Sequence, residues 1–216
     1  MKLYLASKSK FKSQILDKVY INHECIDVNV KEESTKTNAH EYVMELAKLK
    51  ARHGATMVSD GLILGLDTVV LMNGKIIEKP KTLEEAKENL RKASNNKVSV
   101  LTGISLINLD TEEAFTDFQE TKVIMNEITE ENINYYIEKE KDALYVSGFV
   151  IETVASCFIQ SIEGSYYNIL GLPVEKFYQL LRKMNLDLKD IDYNKVNRIK
   201  TEEQSKSISY LINVLS

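Results

Sequence analysis

The longest apolar run in the chain is Leu62 to Met72, in which nearly every residue is apolar. This is the pattern of a strand buried on both faces. Asp67 interrupts it, and a carboxylate left unpaired there would cost several kcal/mol. Asn73-Gly74 follows as a two-residue hairpin signal, and Lys75 to Glu78 is the return run before Lys79-Pro80. Such a turn pairs Met72 with Lys75 and Thr68 with Lys79, bringing Asp67 and Lys79 into one neighbourhood. Strand neighbours point to opposite faces, so a bulge or a bend after Gly65 is needed for the two to meet. A structural ion pair and a functional site both fit this spacing.

Elsewhere the periods of two and 3.6 alternate. Met1 to Ala6 reads as a short strand. Ser7-Lys8-Ser9-Lys10 then opens a helix carrying Phe11, Ile15, Leu16 and Val19. A strand, a serine-rich turn and a helix start with free N–H groups suit an anion, and a plain serine cap with solvated lysines suits the same residues. His23 to Val30 reads as a strand and Lys31 to Asn38 as a polar loop with Glu32 and Glu33. Ala39 to Met57 is a helix whose apolar face uses Tyr42, Val43, Leu46, Ala47 and Ala51. Lys50 projects from that same face, either snorkelling or lining a cleft.

Thr82 to Glu85 forms a capping box for a helix to about Ser94, with Leu83, Ala86, Leu90 and Ala93 inward. Strands are expected over Val98 to Asn108, interrupted at Thr102-Gly103, and over Phe118 to Asn126. Thr129 caps a helix to Glu140. Tyr145 to Ile151 and Ser156 to Ile162 read as strands, and Leu172-Pro173 opens a helix to Met184. Asn185 to Ser216 is polar and charged, a helical extension or tail after a main domain of residues 1–184. Alternating strands and helices with several hairpins predict a mixed α/β (α+β) domain on a twisted sheet.

Composition narrows the classes. The chain has 216 residues, 44% hydrophobic and 28% charged, as in ordinary globular proteins. A net charge of −4 argues against non-specific nucleic-acid binding. Cys25 and Cys157 match no metal spacing and read as free thiols in a reducing cytoplasm. No apolar run approaches a membrane span, and no secretory h-region opens the chain. The polar groups set on apolar elements or in loops beside them are the Ser7 to Lys12 helix start, Glu33, Lys50, Asp67 and Lys79. Carboxylates with lysines suit metal-assisted phosphoryl chemistry, in which Mg²⁺ binds through carboxylates and substrate phosphate. There is no P-loop or Rossmann glycine pattern.

These residues carry a resemblance. In order come Leu5-Ala-Ser-Lys-Ser9, Glu33-Ser34 (with Glu32 as the alternative acid), Tyr42-Val43 with Leu46-Ala47 and Lys50-Ala51, and Asp67-Thr-Val-Val70 with Lys79-Pro80. Thr102-Gly103, Glu120-Thr121-Lys-Val123 and Ile162 to Pro173 follow. In that order over residues 2–184 they resemble the Maf family, nucleoside triphosphate pyrophosphatases also described as septum formation inhibitors. The resemblance implies cleavage between the α- and β-phosphates with Mg²⁺ or Mn²⁺. It also implies an elongated two-lobed fold similar to the inosine triphosphatase type, with a central cleft, and for many members a homodimer.

On the matching positions the resemblance implies that Asp67 is the water-activating or metal-linked carboxylate, that Glu33 helps to hold metal, and that Ser7, Lys12, Lys50 and Lys79 bind the phosphate chain. Family members that act on dTTP and UTP carry Arg, Thr and Gln where this chain has Phe11, Thr68 and Glu152. An aromatic that can stack on a purine and an acceptor for guanine N–H groups lean toward a guanine-type nucleotide such as 7-methyl-GTP, whereas Thr68 matches the pyrimidine branch. The chain departs from the family at Lys10-Phe11-Lys12, where Pro-Arg-Arg is usual. Leu144 to Ser147 stands in place of Asp-Lys-Ala-Gly, and Val98 in place of a histidine. A regulator of septum formation without catalysis is the alternative these departures leave.

Overall fold

The computed structural model describes residues 1–191 apart from 141, 145, 147 and 148. Its framework is a strand of eleven residues, β3 (Leu62–Met72), which pairs along its whole length with β5 (Lys97–Asn108) in an antiparallel ladder. The other edge of β3 changes partner midway. Its first half pairs in parallel with β1 (Leu3–Ala6), ending at Ala6 opposite Gly65. Its last three residues pair with β4 (Lys75–Ile77), ending at Val70 opposite Ile77. Between those limits, Leu66 to Val69 has no strand on that edge, and Asp67 lies in the opening.

The sheet runs β2 (Glu24–Ile26), β1, β3, β5, β6 (Ala114–Met125) and β7 (Ile159–Glu163), with β4 as a seventh strand on β3. The mixed α/β expectation holds: six helices accompany this sheet among the described residues. The hairpin register Met72 opposite Lys75 is as the sequence predicts, with Asn73 at φ 52° and Gly74 at φ 75°, the left-handed pair that such a turn requires. The expected Thr68–Lys79 pair is not part of the ladder, because β4 stops at Ile77. No bulge follows Gly65 either, since the ladder to β5 is unbroken.

One face of the sheet carries α2 (Ala39–Ala55) directly across β3 and β5. Glycine makes this approach possible. A Cβ on Gly65 would lie 2.2 Å from the Ala47 carbonyl oxygen, and one on Gly103 would lie 2.1 Å from that of Val43. Thr102-Gly103 therefore seats a helix and does not interrupt β5.

The rest of the core forms two main clusters. One joins α1 (Lys10–Lys18) and α6 (Val174–Lys183) to β1 and to the first half of β3, through Leu16, Leu64, Phe177 and Leu181. The other joins α3 (Leu83–Ala93) and α4 (Glu130–Lys139) to the far ends of β5 and β6, through Leu90, Val98, Val123 and Tyr136. Residues just beyond 184 belong to the body, since Leu186, Leu188 and Ile191 pack on the first cluster.

Several element expectations are corrected. Strand His23 to Val30 is only Glu24–Ile26. β6 begins at Ala114, because the ladder with β5 extends to Ile107 opposite Ala114. In the expected strand Ser156 to Ile162, a 3₁₀ turn spans Val154–Phe158 before β7. The described part of 145–151 contains no strand. Leu83, the first residue of α3, is exposed. Thr82 accepts from the Glu85 amide, but the Glu85 carboxylate accepts from Lys81, so the reciprocal half of the box is displaced by one residue. Tyr145 and everything beyond residue 191 fall outside the described residues. No helix among the described residues is long and apolar enough to cross a membrane.

Candidate active site

Asp67 is 6% exposed and sits where β3 exchanges partners. Its partner is Lys50, delivered by α2 from the face above, whose Nζ donates to Asp67 Oδ1 at 2.7 Å. The same Nζ lies 2.8 Å from Glu32 Oε1. One ammonium thus bridges two carboxylates from separate elements. Burial opposes the Lys50 charge, but Asp67 and Glu32 outweigh it and raise its pKa above the ordinary lysine value. Burial, joined by the charges of Asp67 and Glu32, also raises the Tyr42 phenol two turns earlier on α2.

Lys12 enters from α1. Its Nζ donates to the Leu66 carbonyl at 3.1 Å, filling part of the place that a strand would occupy on that edge. Burial is the main reason its pKa is pushed down to about 8; the neighbouring Lys50 charge acts the same way, Asp67 and Glu32 oppose it, and Lys79 adds a smaller push. Cations held close together at a desolvated site are poised for a polyanion.

These groups open on a cleft of about 270 Å³ lined by Ser9, Phe11, Lys12, Lys18, Glu32, Asp67, Thr68, Lys79, Glu152 and Gly171, with valines behind them. The cleft draws its walls from both main core clusters. Gly171, at φ +101°, sits so that a Cβ would be 3.4 Å from Lys12 Cε and 3.5 Å from Thr68 Oγ1.

Most residues singled out in the sequence thus converge: Lys12, Lys50, Asp67, Thr68, Lys79, Phe11 and Glu152. Asp67 and Lys79 share the cleft without the hairpin contact that the sequence suggested, and Lys50 takes that contact. Glu33 is not brought in, because its carboxylate is exposed and pairs with Lys31. Glu32, the alternative acid, occupies the place instead. Ser7 Oγ accepts from the Ser9 amide at 3.2 Å, and it is Ser9 that lines the cleft.

Three polar residues given no role beforehand hold the floor. Asn168 is fully buried, and its Nδ2 donates to the Val100 carbonyl at 2.9 Å and to Thr121 Oγ1 at 3.0 Å. Thr121 also accepts from the Ser165 amide, and Thr102 links Thr68 to the Asn168 carbonyl. Their signal was available, since each lies in a motif already quoted. Lys18, which donates to Glu152, was overlooked although it follows Phe11 by two helical turns and shares its face.

A buried carboxylate, a second acid and three lysines meet at one cleft, on a sheet opened by a change of strand partner, and this is a charge arrangement chemically suited to a polyphosphate. Comparison with known proteins agrees with that class. The Maf-like protein family profile matches residues 2–184, and the chain belongs to that family. Among similar curated proteins is the dTTP/UTP pyrophosphatase of Carboxydothermus hydrogenoformans, 36% identical over 183 residues, covering 85% of this chain and 98% of that protein. The dTTP/UTP pyrophosphatase of Escherichia coli K12 is 32% identical over 185 residues, covering 85% and 93%. The solved Ham1 protein of Staphylococcus aureus overlaps in part, with a TM-score of 0.42 and 16% identity over 58% of this chain and 72% of that one.

Proposed function

We propose that this chain hydrolyses nucleoside triphosphates between the α- and β-phosphates, giving a nucleoside monophosphate and pyrophosphate, with dTTP and UTP as first candidates. The observation that carries the reading is Lys50 bridging Asp67 and Glu32 beside Lys12 in the cleft. In this reading Lys12, Lys50 and Lys79 hold the phosphate chain, and Ser9 stands beside it with Ser7 supporting the Ser9 amide. Asp67, paired with Lys50, accepts the proton of the attacking water.

A divalent cation, Mg²⁺ or Mn²⁺, fits the donor set: such ions bind through one or two carboxylates plus substrate phosphates, and Asp67 and Glu32 are the two that converge. When bound, the ion would supply positive charge to the phosphate oxygens. In this reading Glu32 takes the metal-holding role that the resemblance implies for Glu33.

The relatives' names favour dTTP and UTP over the guanine-type lean drawn from Phe11 and Glu152. Pyrophosphate release from dTTP, UTP, CTP, GTP and 7-methyl-GTP, with Mg²⁺ or Mn²⁺ and beside Asp67→Asn, tests the reading. Release that disappears in the variant supports it. A tenfold preference for dTTP or UTP over the guanine nucleotides removes the guanine lean. No turnover by folded protein refutes the enzyme and favours a nucleotide-binding regulator.

A further inference from the structure

Lys18 closes α1, and Glu152 lies in the turn after Ile151, far away in the sequence. The Lys18 ammonium nevertheless donates to Glu152 Oε1, and both side chains line the cleft together with Phe11. Their side chains are 54% and 35% exposed, so a ligand can reach both. An exposed pair of this kind contributes little to stability, roughly 0–1 kcal/mol. The other charges of the cleft, Lys12, Lys79, Asp67 and Glu32, belong to the phosphate region. Phe11 immediately precedes Lys12 on α1, so the two regions adjoin.

We infer that Lys18 and Glu152 together read the nucleobase by its lactam edge, the ring carbonyl beside a ring N–H that uracil, thymine and guanine share. This rests on the pyrophosphatase reading and adds to it a specificity residue, Lys18. With the phosphates among the lysines and the base against Phe11, the Lys18 ammonium donates to the carbonyl oxygen and the Glu152 carboxylate accepts from the N–H. Cytosine and adenine present the reverse polarity. Their amino group would face the ammonium, and their ring-nitrogen lone pair would face the carboxylate. Both contacts are repulsive, and discrimination of this kind comes from leaving polar groups mismatched.

The pair also explains how a carboxylate can serve beside a uracil or thymine. A lone Glu152 would meet the two carbonyls that flank the single imide N–H. Lys18 covers the adjacent carbonyl and offsets that repulsion.

The test is steady-state kcat/KM for UTP, CTP, GTP and ATP with the wild type, Lys18→Met and the charge-swapped double variant Lys18→Glu/Glu152→Lys. The expected wild-type preference for UTP over CTP, and for GTP over ATP, is about tenfold or more. Lys18→Met is expected to cut both ratios about tenfold, mostly through KM. The double variant keeps an ion pair, and hence its Tm, while its preference moves toward CTP. The UTP-to-GTP ratio tells which lactam base the site takes. Wild-type ratios in the double variant, or ratios in Lys18→Met within threefold of wild type, would overturn the inference and leave the pair a structural bridge. If the wild type turns over no nucleotide, the pyrophosphatase reading fails instead. The same ratios are then measured as Kd by calorimetry with the same thresholds deciding.

Discussion

The Lys50 ammonium and the Asp67 carboxylate, 2.7 Å apart, come from a helix and from the strand beneath it, and they meet because Gly65 lets the helix backbone rest on that strand. The two residues should separate in their effects. Lys50→Met leaves a buried carboxylate uncompensated and is expected to cost about 3–5 kcal/mol of stability. Asp67→Asn keeps an acceptor for Lys50, so it folds with a smaller loss while pyrophosphate release falls about 10²–10⁴-fold. Urea denaturation beside the release assay checks both. A Lys50→Met protein as stable as wild type would contradict the first expectation.

The seating of α2 gives a second prediction. Gly103→Ala places a Cβ against the Val43 carbonyl at 2.1 Å, a contact between two backbones that no rotamer relieves. The expected loss is about 3 kcal/mol or more. Gly74→Ala meets no atom within 4 Å and bears only the strain of φ +75°, about 1 kcal/mol. Thermal melts of the two variants should therefore differ widely, and similar Tm values would refute the argument.

Asn168 ties the turn that carries Gly171 to β5 and β6. Asn168→Leu removes the amide donor to both the Val100 carbonyl and Thr121 Oγ1 and sets an apolar group against these buried oxygens. A loss of about 2–4 kcal/mol is expected, with a rise in KM as the floor beneath Lys12 slackens. A variant that loses stability but keeps its KM would show that the turn holds its place without this tie.

Acid sensitivity should trace partly to Asp117. Burial pushes its carboxyl up, but the Phe118 amide and the Lys176 and Lys183 ammonium groups outweigh this and hold its pKa below the ordinary value. A carboxylate whose pKa is depressed on folding adds stability above its unfolded pKa, near 4, and this is lost as pH falls through the folded value. Asp117→Asn should therefore cost about 0.5–1 kcal/mol at pH 7 and much less at pH 3, read as urea midpoints. An equal loss at both pH values would mean that the contact is not electrostatic.

The pattern of apolar positions made β3, its hairpin and the inward Lys50 legible, because each is a local signal. It could not show that β3 exchanges β1 for β4 midway, since that depends on pairing between distant segments. The hairpin alone therefore pairs Asp67 with Lys79, although its partner sits on α2. The choice between Glu32 and Glu33 stays open in the sequence for a related reason: a polar loop has no period, so nothing local decides which of two adjacent acids turns inward. Helical spacing puts Lys18 on the face of Phe11, but its pairing with Glu152 is not legible, because Glu152 lies in a distant turn that no helical spacing connects to α1.

The exchange of partners along β3 also fixes where the chemistry can lie. A strand zipped to one neighbour can slide by a residue when that neighbour slides with it. β3 is gripped on one edge by a parallel strand and an antiparallel one, and on the other by a third. Any shift must break three ladders together, and a slip of one position would turn Asp67 to the opposite side of the sheet. The opening beside Asp67 is thus flanked by clamps that stop the acid from drifting, so access to it is gained without loss of alignment.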